Sequence, residues 1–157
     1  MKRNKTAILL PAMTIVCCGM LLGYIAVFKL GIAYAQSSSV NEAQLLARAI
    51  NGEARGESYE GQVAVGAVIL NRTRDPSFPK TIAGVIYQPG AFTAVDDGQI
   101  NVPIDSGSSV MKAARDAMDG WDPTDGCIYY WNPATATSSW IWSRQVVKKI
   151  GKHYFAK

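Results

Sequence analysis

The stretch that most limits how this chain can fold is "GQVAVGAVILNR", residues 61–72. Val63, Ala64, Ala67, Val68 and Asn71 share one helical face, while Gly61, Ala64, Gly66 and Ala67 are small. Small side chains let a neighbouring helix approach closely, so the segment predicts a central buried helix around which the others pack. Ser58 is its N-cap, and Glu60 falls in the first turn, where the helix dipole favours an anion.

A second amphipathic run precedes it. Ser39 and Glu42 have the form of a capping box, and Leu45, Leu46, Ala49 and Ile50 recur at helical spacing, predicting a helix from about Val40 to Ala54. Following that face by three from Ile50, or by four from Ala49, reaches Glu53. Glu53 therefore points to the core side at the end of its helix. Glu53, Glu57 and Glu60 thus crowd the seam between two buried helices. The dipole accounts for Glu60. Glu57, in a turn with Gly56, is either a surface residue or a partner that orients Arg55 or Glu53.

The remaining chain supplies a frame. Thr81 caps a short helix through Ile82, Val85 and Ile86 that ends at "QPG". "AFTAVDDGQINVP" holds too many turn residues for regular structure, with Phe92 as a large aromatic on the loop. A helix from about Ser108 to Asp119 buries Val110, Ala113, Ala114, Ala117 and Met118 and closes at Gly120. "CIYYWNP" reads as a strand, Cys127 to Trp131, stopped by Asn-Pro. "QVVKKIGKHYF" is either a strand pair broken at Gly151 or a short helix and a strand.

Charge enters the argument at the N-terminus. The formal net charge is +4, but Lys2, Arg3, Lys5 and Lys29 precede residue 36 and every Asp and Glu lies at or beyond Glu42. From residue 36 onward the charges balance, which excludes the basic patch of a nucleic-acid binder. "MKRNK", an apolar run from Ala7 to Phe28 and a small-x-small "AYA" at 33–35 predict a signal peptide over 1–35. The apolar run is long enough to span a bilayer, so an uncleaved N-terminal anchor is the alternative. "QSSSV", 36–40, reads as a short linker, leaving 41–157 as the domain. Cys17 and Cys18 belong to the apolar run, so the exported part keeps only Cys127 and forms no internal disulfide.

The chemistry narrows by residue type. One histidine, His153, and one cysteine cannot assemble the N/S ligand set of a zinc site, so no metal and no cofactor is expected. Cys127 opens an apolar strand, the setting of an inert thiol. No G-x-S-x-G turn presents a serine. Asp96 and Asp97 in "VDDG" read as a solvated turn, because the glutamate that closes a calcium loop is missing. His153 reads as a strand residue bonding a helix end. What remains is carboxylate together with aromatic rings. Phe92, Tyr129, Tyr130, Trp131, Trp140 and Trp142 are available to floor a sugar-binding groove, strand alternation sending about half of those on the strand into the core. A carboxyl held at a helix end against an apolar wall is the arrangement in which desolvation disfavours the charged form, leaving a proton to donate to a leaving glycosidic oxygen.

The segments "NGEARGESYEGQVAVGAVILNR", "VIYQPGAFTAV", "YYWNPATATSSWIWSR" and "IGKHYF" closely resemble the catalytic domain of the germination-specific spore cortex-lytic enzyme and its cell-wall hydrolase relatives, over residues 45–155. The resemblance implies an α+β, mainly α, lysozyme-like transglycosylase domain with a small β element. It implies cleavage of the N-acetylmuramic acid to N-acetylglucosamine linkage of peptidoglycan by a lytic transglycosylase, in cortex breakdown at germination or in wall remodelling. In that class one glutamate protonates the glycosidic oxygen and then accepts the proton of the muramic C6 hydroxyl, which removes the need for a second carboxylate. The glutamate of "NGEARGE" maps onto Glu53, with Glu57 and Arg55 as supporting candidates. "AFT" and "YWN" map Phe92, Thr93, Tyr130 and Asn132 onto groove contacts. The implied partners are glycan strands of cortex or wall and a regulatory protein. The best-known relatives carry a separate peptidoglycan-binding module ahead of this domain, whereas here "QSSS" alone separates the signal from it. An N-acetylmuramoyl-L-alanine amidase and a catalytically silent wall-binding spore protein are the competing readings.

Overall fold

The computed structural model describes the backbone from Leu10 to Lys157 and side chains from Tyr24 onward. Lys2, Arg3 and Lys5, and the side chains of Cys17, Cys18 and the rest of the apolar run before Tyr24, lie outside the described residues. The first helix, α1 (Leu10–Ala54), ends where the sequence places its end but does not begin at Val40. It passes through Gln36–Val40 without a break, so Ser39 caps nothing and its Oγ donates to the Gln36 carbonyl at 3.1 Å. Neither Gly nor Pro occurs between Ile32 and Asn51, so nothing there stops a helix once formed. Contacts divide the chain into the units Met1–Ser39 and Val40–Lys157. In the first, Tyr24, Val27, Phe28, Leu30 and Tyr34 are exposed. Among the described residues no helix is long and apolar enough to cross a membrane.

In the second unit hydroxyl side chains open the helices. Ser58 Oγ accepts from Gly61 N at 3.2 Å and starts α2 (Tyr59–Arg74). Thr81 Oγ1 accepts from Gly84 N at 3.0 Å and starts α3 (Ile82–Ile86). The short α4 (Thr93–Asp96) follows Phe92 with no side-chain cap. Ser108 Oγ accepts from Met111 N at 3.3 Å and starts α5 (Ser109–Met118), which closes at Gly120 with φ 104°. Each of these donors would otherwise be an orphan of the first turn, and such a cap is worth about 1 kcal/mol.

Helix α2 is the centre, as its small residues require: every residue from Gly61 to Ile69 is buried. Burying an aliphatic side chain such as Val65 or Ile69 contributes roughly 1.5–3 kcal/mol. A Cβ added at Gly66 would lie 3.0 Å from Ile50 Cδ1 and 3.2 Å from Ala117 Cβ, so α1, α2 and α5 meet at that glycine. Asn71 then ties α2 to the chain before the sheet, its Nδ2 donating to Asp122 Oδ2 at 2.8 Å and to the Cys127 carbonyl at 3.1 Å. Cys127 is fully buried, and burial pushes its thiol up from its ordinary value, the state of an inert thiol.

The strands are β1 (Tyr129–Trp131), β2 (Val146–Ile150) and β3 (His153–Ala156). They form an antiparallel sheet in the order β1-β3-β2, with Tyr130 opposite Phe155. Of the two readings of "QVVKKIGKHYF", the strand pair is the one realised, and Gly151 turns between the strands at φ 56°. Strand β1 starts two residues later than expected, after the Cys127 carbonyl taken by Asn71. The segment after Phe92 is more regular than its turn residues suggest, holding α4 and a 3₁₀ turn, Gln99–Asn101. Ala94 and Ile100 give it inward-facing side chains of its own. The result is an α+β, mainly α, domain with a small sheet at one side of the central helix.

Candidate active site

Glu53 stands in the last turn of α1, and two further elements converge on its carboxylate. Oε1 accepts from the backbone N–H of Ala94, in α4, at 3.1 Å. Oε2 accepts from the hydroxyl of Tyr130, on β1, at 3.2 Å. The approach of α4 depends on Gly52, where an added Cβ would collide with Ala94 Cβ and lie 3.3 Å from Ala94 Cα. The apolar wall expected beside the acid is therefore in part a pair of donors. Burial, and next the charge of Glu53, push the Tyr130 phenol well above its ordinary value, with Arg72 opposing. Tyr130 consequently keeps its proton and serves as a donor.

Glu53 opens onto a cavity of ≈ 560 Å³ whose walls include Glu57, Thr93, Tyr130, Asn132 and His153. A second cavity of ≈ 470 Å³ adjoins it, walled by Phe78, Tyr129 and Trp140. Arg72, Tyr130 and Trp131 line both, so the two form one groove with two lobes.

Of the residues expected at the site, Glu53, Glu57, Thr93, Tyr130 and Asn132 come together and two do not. Phe92 is a correction: it is 2% exposed and belongs to the main core. Its extended backbone, φ −139° and ψ 125° just before α4, turns the ring inward instead of along the loop surface. Arg55 is another: it is exposed, and its Nη1 donates to Gln99 Oε1 at 2.7 Å and not to Glu53 or Glu57. Glu57 orients neither Arg55 nor Glu53. Its Oε2 accepts from Lys152 N at 3.0 Å and fastens the turn between β2 and β3. Asn132 spends its Oδ1 on Ala134 N at 2.9 Å, in the turn that ends β1, leaving its Nδ2 for the groove. Trp140 and Trp142 are exposed, whereas Trp131 is buried.

His153 lies on β3 as expected but bonds no helix end. Its Nδ1 is buried with no hydrogen-bond partner, and its ring stands edge-on to Tyr130 with centroids 5.4 Å apart. Burial holds the imidazole below its ordinary value, with Glu57 opposing and Lys152 reinforcing. Asp97 accepts from Gln99 through both oxygens, at 3.0 and 2.7 Å, within its own turn. Among the described residues no three His, Cys, Asp or Glu side chains are grouped to hold a metal ion.

Sequence reasoning missed Arg72. It is 9% exposed, and its Nε donates to the Ile128 carbonyl at 2.7 Å. Its guanidinium lies 5.2 Å from the Phe78 ring, 5.5 Å from Phe92 and 6.0 Å from Tyr129. Burial lowers its pKa from the ordinary value, while Tyr130, Tyr129 and Glu53 act the other way. The signal was present: Arg72 continues the buried face of Val65, Val68 and Ile69 by the same three-and-four step that leads from Ala49 and Ile50 to Glu53.

Fold and site together define a small, mainly helical α+β domain with an acid at a helix end over an aromatic-walled groove. Residues 56–156 match the family described as Cell Wall Hydrolase, and the chain belongs to that family. It is 58% identical over 119 residues to the spore cortex-lytic enzyme of Bacillus cereus, an alignment covering 76% of this chain and 45% of that protein. The chain thus spans less than half the length of that relative. Among solved structures, the catalytic domain of the Bacillus cereus SleB protein matches with a TM-score of 0.70 at 58% identity, over 74% of this chain and 90% of that one. The catalytic domain of the germination-specific lytic transglycosylase SleB from Bacillus anthracis matches with a TM-score of 0.71 at 57% identity, over 74% and 94%.

Proposed function

We propose that this chain cleaves the N-acetylmuramic acid to N-acetylglucosamine linkage of peptidoglycan as a lytic transglycosylase, with Glu53 as its single acid and base. The observation that carries the reading is the setting of Glu53, an acid in an aromatic-walled groove held by donors from two other elements. The other carboxylates of that lobe, Glu57 and Asp97, are engaged in fastening turns. Protonated Glu53 gives its proton to the glycosidic oxygen as the C1–O bond breaks. The resulting carboxylate takes the proton of the muramic C6 hydroxyl as that oxygen bonds to C1, closing a 1,6-anhydro ring and restoring the acid. The Ala94 N–H and the Tyr130 hydroxyl keep the carboxyl oriented and stabilise it in the step where it carries charge. Thr93 and the Asn132 amide are the contacts for sugar substituents.

The names of the relatives support spore cortex as the substrate and germination as the occasion, with vegetative wall remodelling as the other setting. The basic start, apolar run and "AYA" site support export by a signal peptide or retention by it as an anchor, and a regulatory protein partner belongs to the same reading. The test is mass spectrometry of peptidoglycan digested by the purified chain. Anhydro-muropeptides are expected; freed stem peptides would establish an amidase instead, and the absence of products would leave a binding protein.

A further inference from the structure

The lobe that does not hold Glu53 has a different electrostatic character. Glu53, Glu57 and Asp97 line the first lobe, whereas no Asp or Glu is among the residues lining the second. Arg72 lies in the wall the two lobes share, and Arg144 adds a second cation at the margin of the second lobe, 4.6 Å from the Tyr129 ring and 5.2 Å from Trp140.

Arg72 is built as a receptor. Its Nε bond to the Ile128 carbonyl and the rings of Phe78, Phe92 and Tyr129 fix the plane of the guanidinium. Neither Nη has a hydrogen-bond acceptor among the described residues, and no carboxylate forms an ion pair with it there. A buried cation with two oriented, unused donors at a groove wall is matched by a planar anion that accepts both. An arginine is also fully ionised at any pH at which the enzyme works. A sugar hydroxyl needs no such fork, and an amide carbonyl uses half of it.

We propose that the second lobe is a carboxylate-binding site, in which Arg72, assisted by Arg144, takes a free carboxylate of the peptide stem carried by the glycan strand. The proposal rests on peptidoglycan being the substrate. In a stem-bearing muramic residue the lactyl carboxyl is tied up as the amide that holds the stem, so the free carboxylates there are those of the stem peptide. The backbone then occupies the lobe of Glu53 while the stem lies across Tyr129 and Trp140.

The experiment is a binding titration of the purified chain with N-acetylglucosaminyl-N-acetylmuramyl tetrapeptide, and with the same compound after its carboxylates are converted to amides. This disaccharide lacks the linkage to be cut, so affinity is read in the active protein. Amidation is expected to weaken binding by roughly tenfold or more. Arg72→Lys keeps the charge but loses the fork, and should narrow the difference between the two ligands severalfold. Arg144→Gln, on an exposed side chain, should narrow the difference without lowering the melting temperature. Equal binding of both ligands by the parent chain would overturn the site. So would full discrimination in a folded Arg72→Lys variant or, if that variant fails to fold, unchanged discrimination in Arg144→Gln. Discrimination without anhydro-muropeptide release would remove the transglycosylase reading and leave this one standing; full turnover with equal binding would do the reverse.

Discussion

Replacing Gly52 by alanine tests whether Glu53, the proposed acid, is held by a close approach of two helices. In the structure an alanine Cβ at this position would collide with Ala94 Cβ and lie 3.3 Å from Ala94 Cα. Carbon atoms settle at about 3.5–4.0 Å, so α4 must retreat by on the order of 1 Å. Overpacking of this kind costs about 1–3 kcal/mol, while replacing a helical glycine by alanine returns about 1 kcal/mol. The net loss of stability is therefore small, between about zero and 2 kcal/mol. The effect on turnover is expected to be much larger. Ala94 Cα carries the displaced Cβ and is bonded to the nitrogen whose N–H donates to Glu53 Oε1 at 3.1 Å, and a retreat of that size breaks the hydrogen bond. A misplacement of about 1 Å at a reacting group costs on the order of a hundredfold in rate. Thermal melting and the rate of anhydro-muropeptide release, measured on the same preparation, separate the two quantities. Gly56→Ala is the control, because an added Cβ there meets nothing within 4 Å and should alter neither. Turnover of Gly52→Ala equal to that of the parent would refute the reasoning, since the carboxylate would then not depend on the position of α4.

Four further outcomes follow from the geometry. Glu53→Gln should fold with an unchanged melting temperature and lose roughly a hundred- to ten-thousandfold in turnover, because an amide has no acidic proton to give; parent-like product release would remove Glu53 from its role. Glu57→Ala should lose about 1 kcal/mol of stability, as the acceptor of Lys152 N disappears, yet keep far more activity than Glu53→Gln; the opposite ranking would exchange the two roles. His153, held below its unfolded value of about 6.5 by burial, should give stability that is full above that pH and declines as pH falls, because the unfolded chain takes up the proton first. The decline levels off below the folded value, and His153→Gln should flatten melting temperature against pH between about pH 7 and 5; an identical slope in both proteins would count against this. Turnover in excess chelator should match turnover without it, and loss on chelation restored by one divalent ion would reopen the amidase reading.

Much of the local structure was legible because it is decided by neighbours in sequence. Ser58, Thr81 and Ser108 cap the helices that follow them, and Gly120 ends a helix as its position predicts. Glu53 was found by extending an apolar face, and the small residues of α2 announced its central place. Other features depend on residues far along the chain. The spacing of Val65, Val68 and Ile69 puts Arg72 on the buried face of α2, but its partners, the carbonyl of Ile128 and three aromatic rings, come from elsewhere in the chain. Phe92 reads as a loop aromatic, and only the packing of α4 against α1 shows that the core needs it. The tie of Glu57 to Lys152 spans 95 residues, a distance at which no pattern of spacing gives a signal. Ser39 failed for a different reason: a capping box has meaning only where a helix begins, and here the helix is already under way.

Strand β3 lies between β1 and β2 in space although it follows both in the chain. During synthesis, therefore, the two earlier strands emerge before the one that pairs with them. Tyr130 is set opposite Phe155, so the hydroxyl that grips Glu53 takes its place only after the closing strand of the sheet has left the ribosome. A chain that ends before β3 therefore holds Glu53 without the pairing that sets Tyr130 against it.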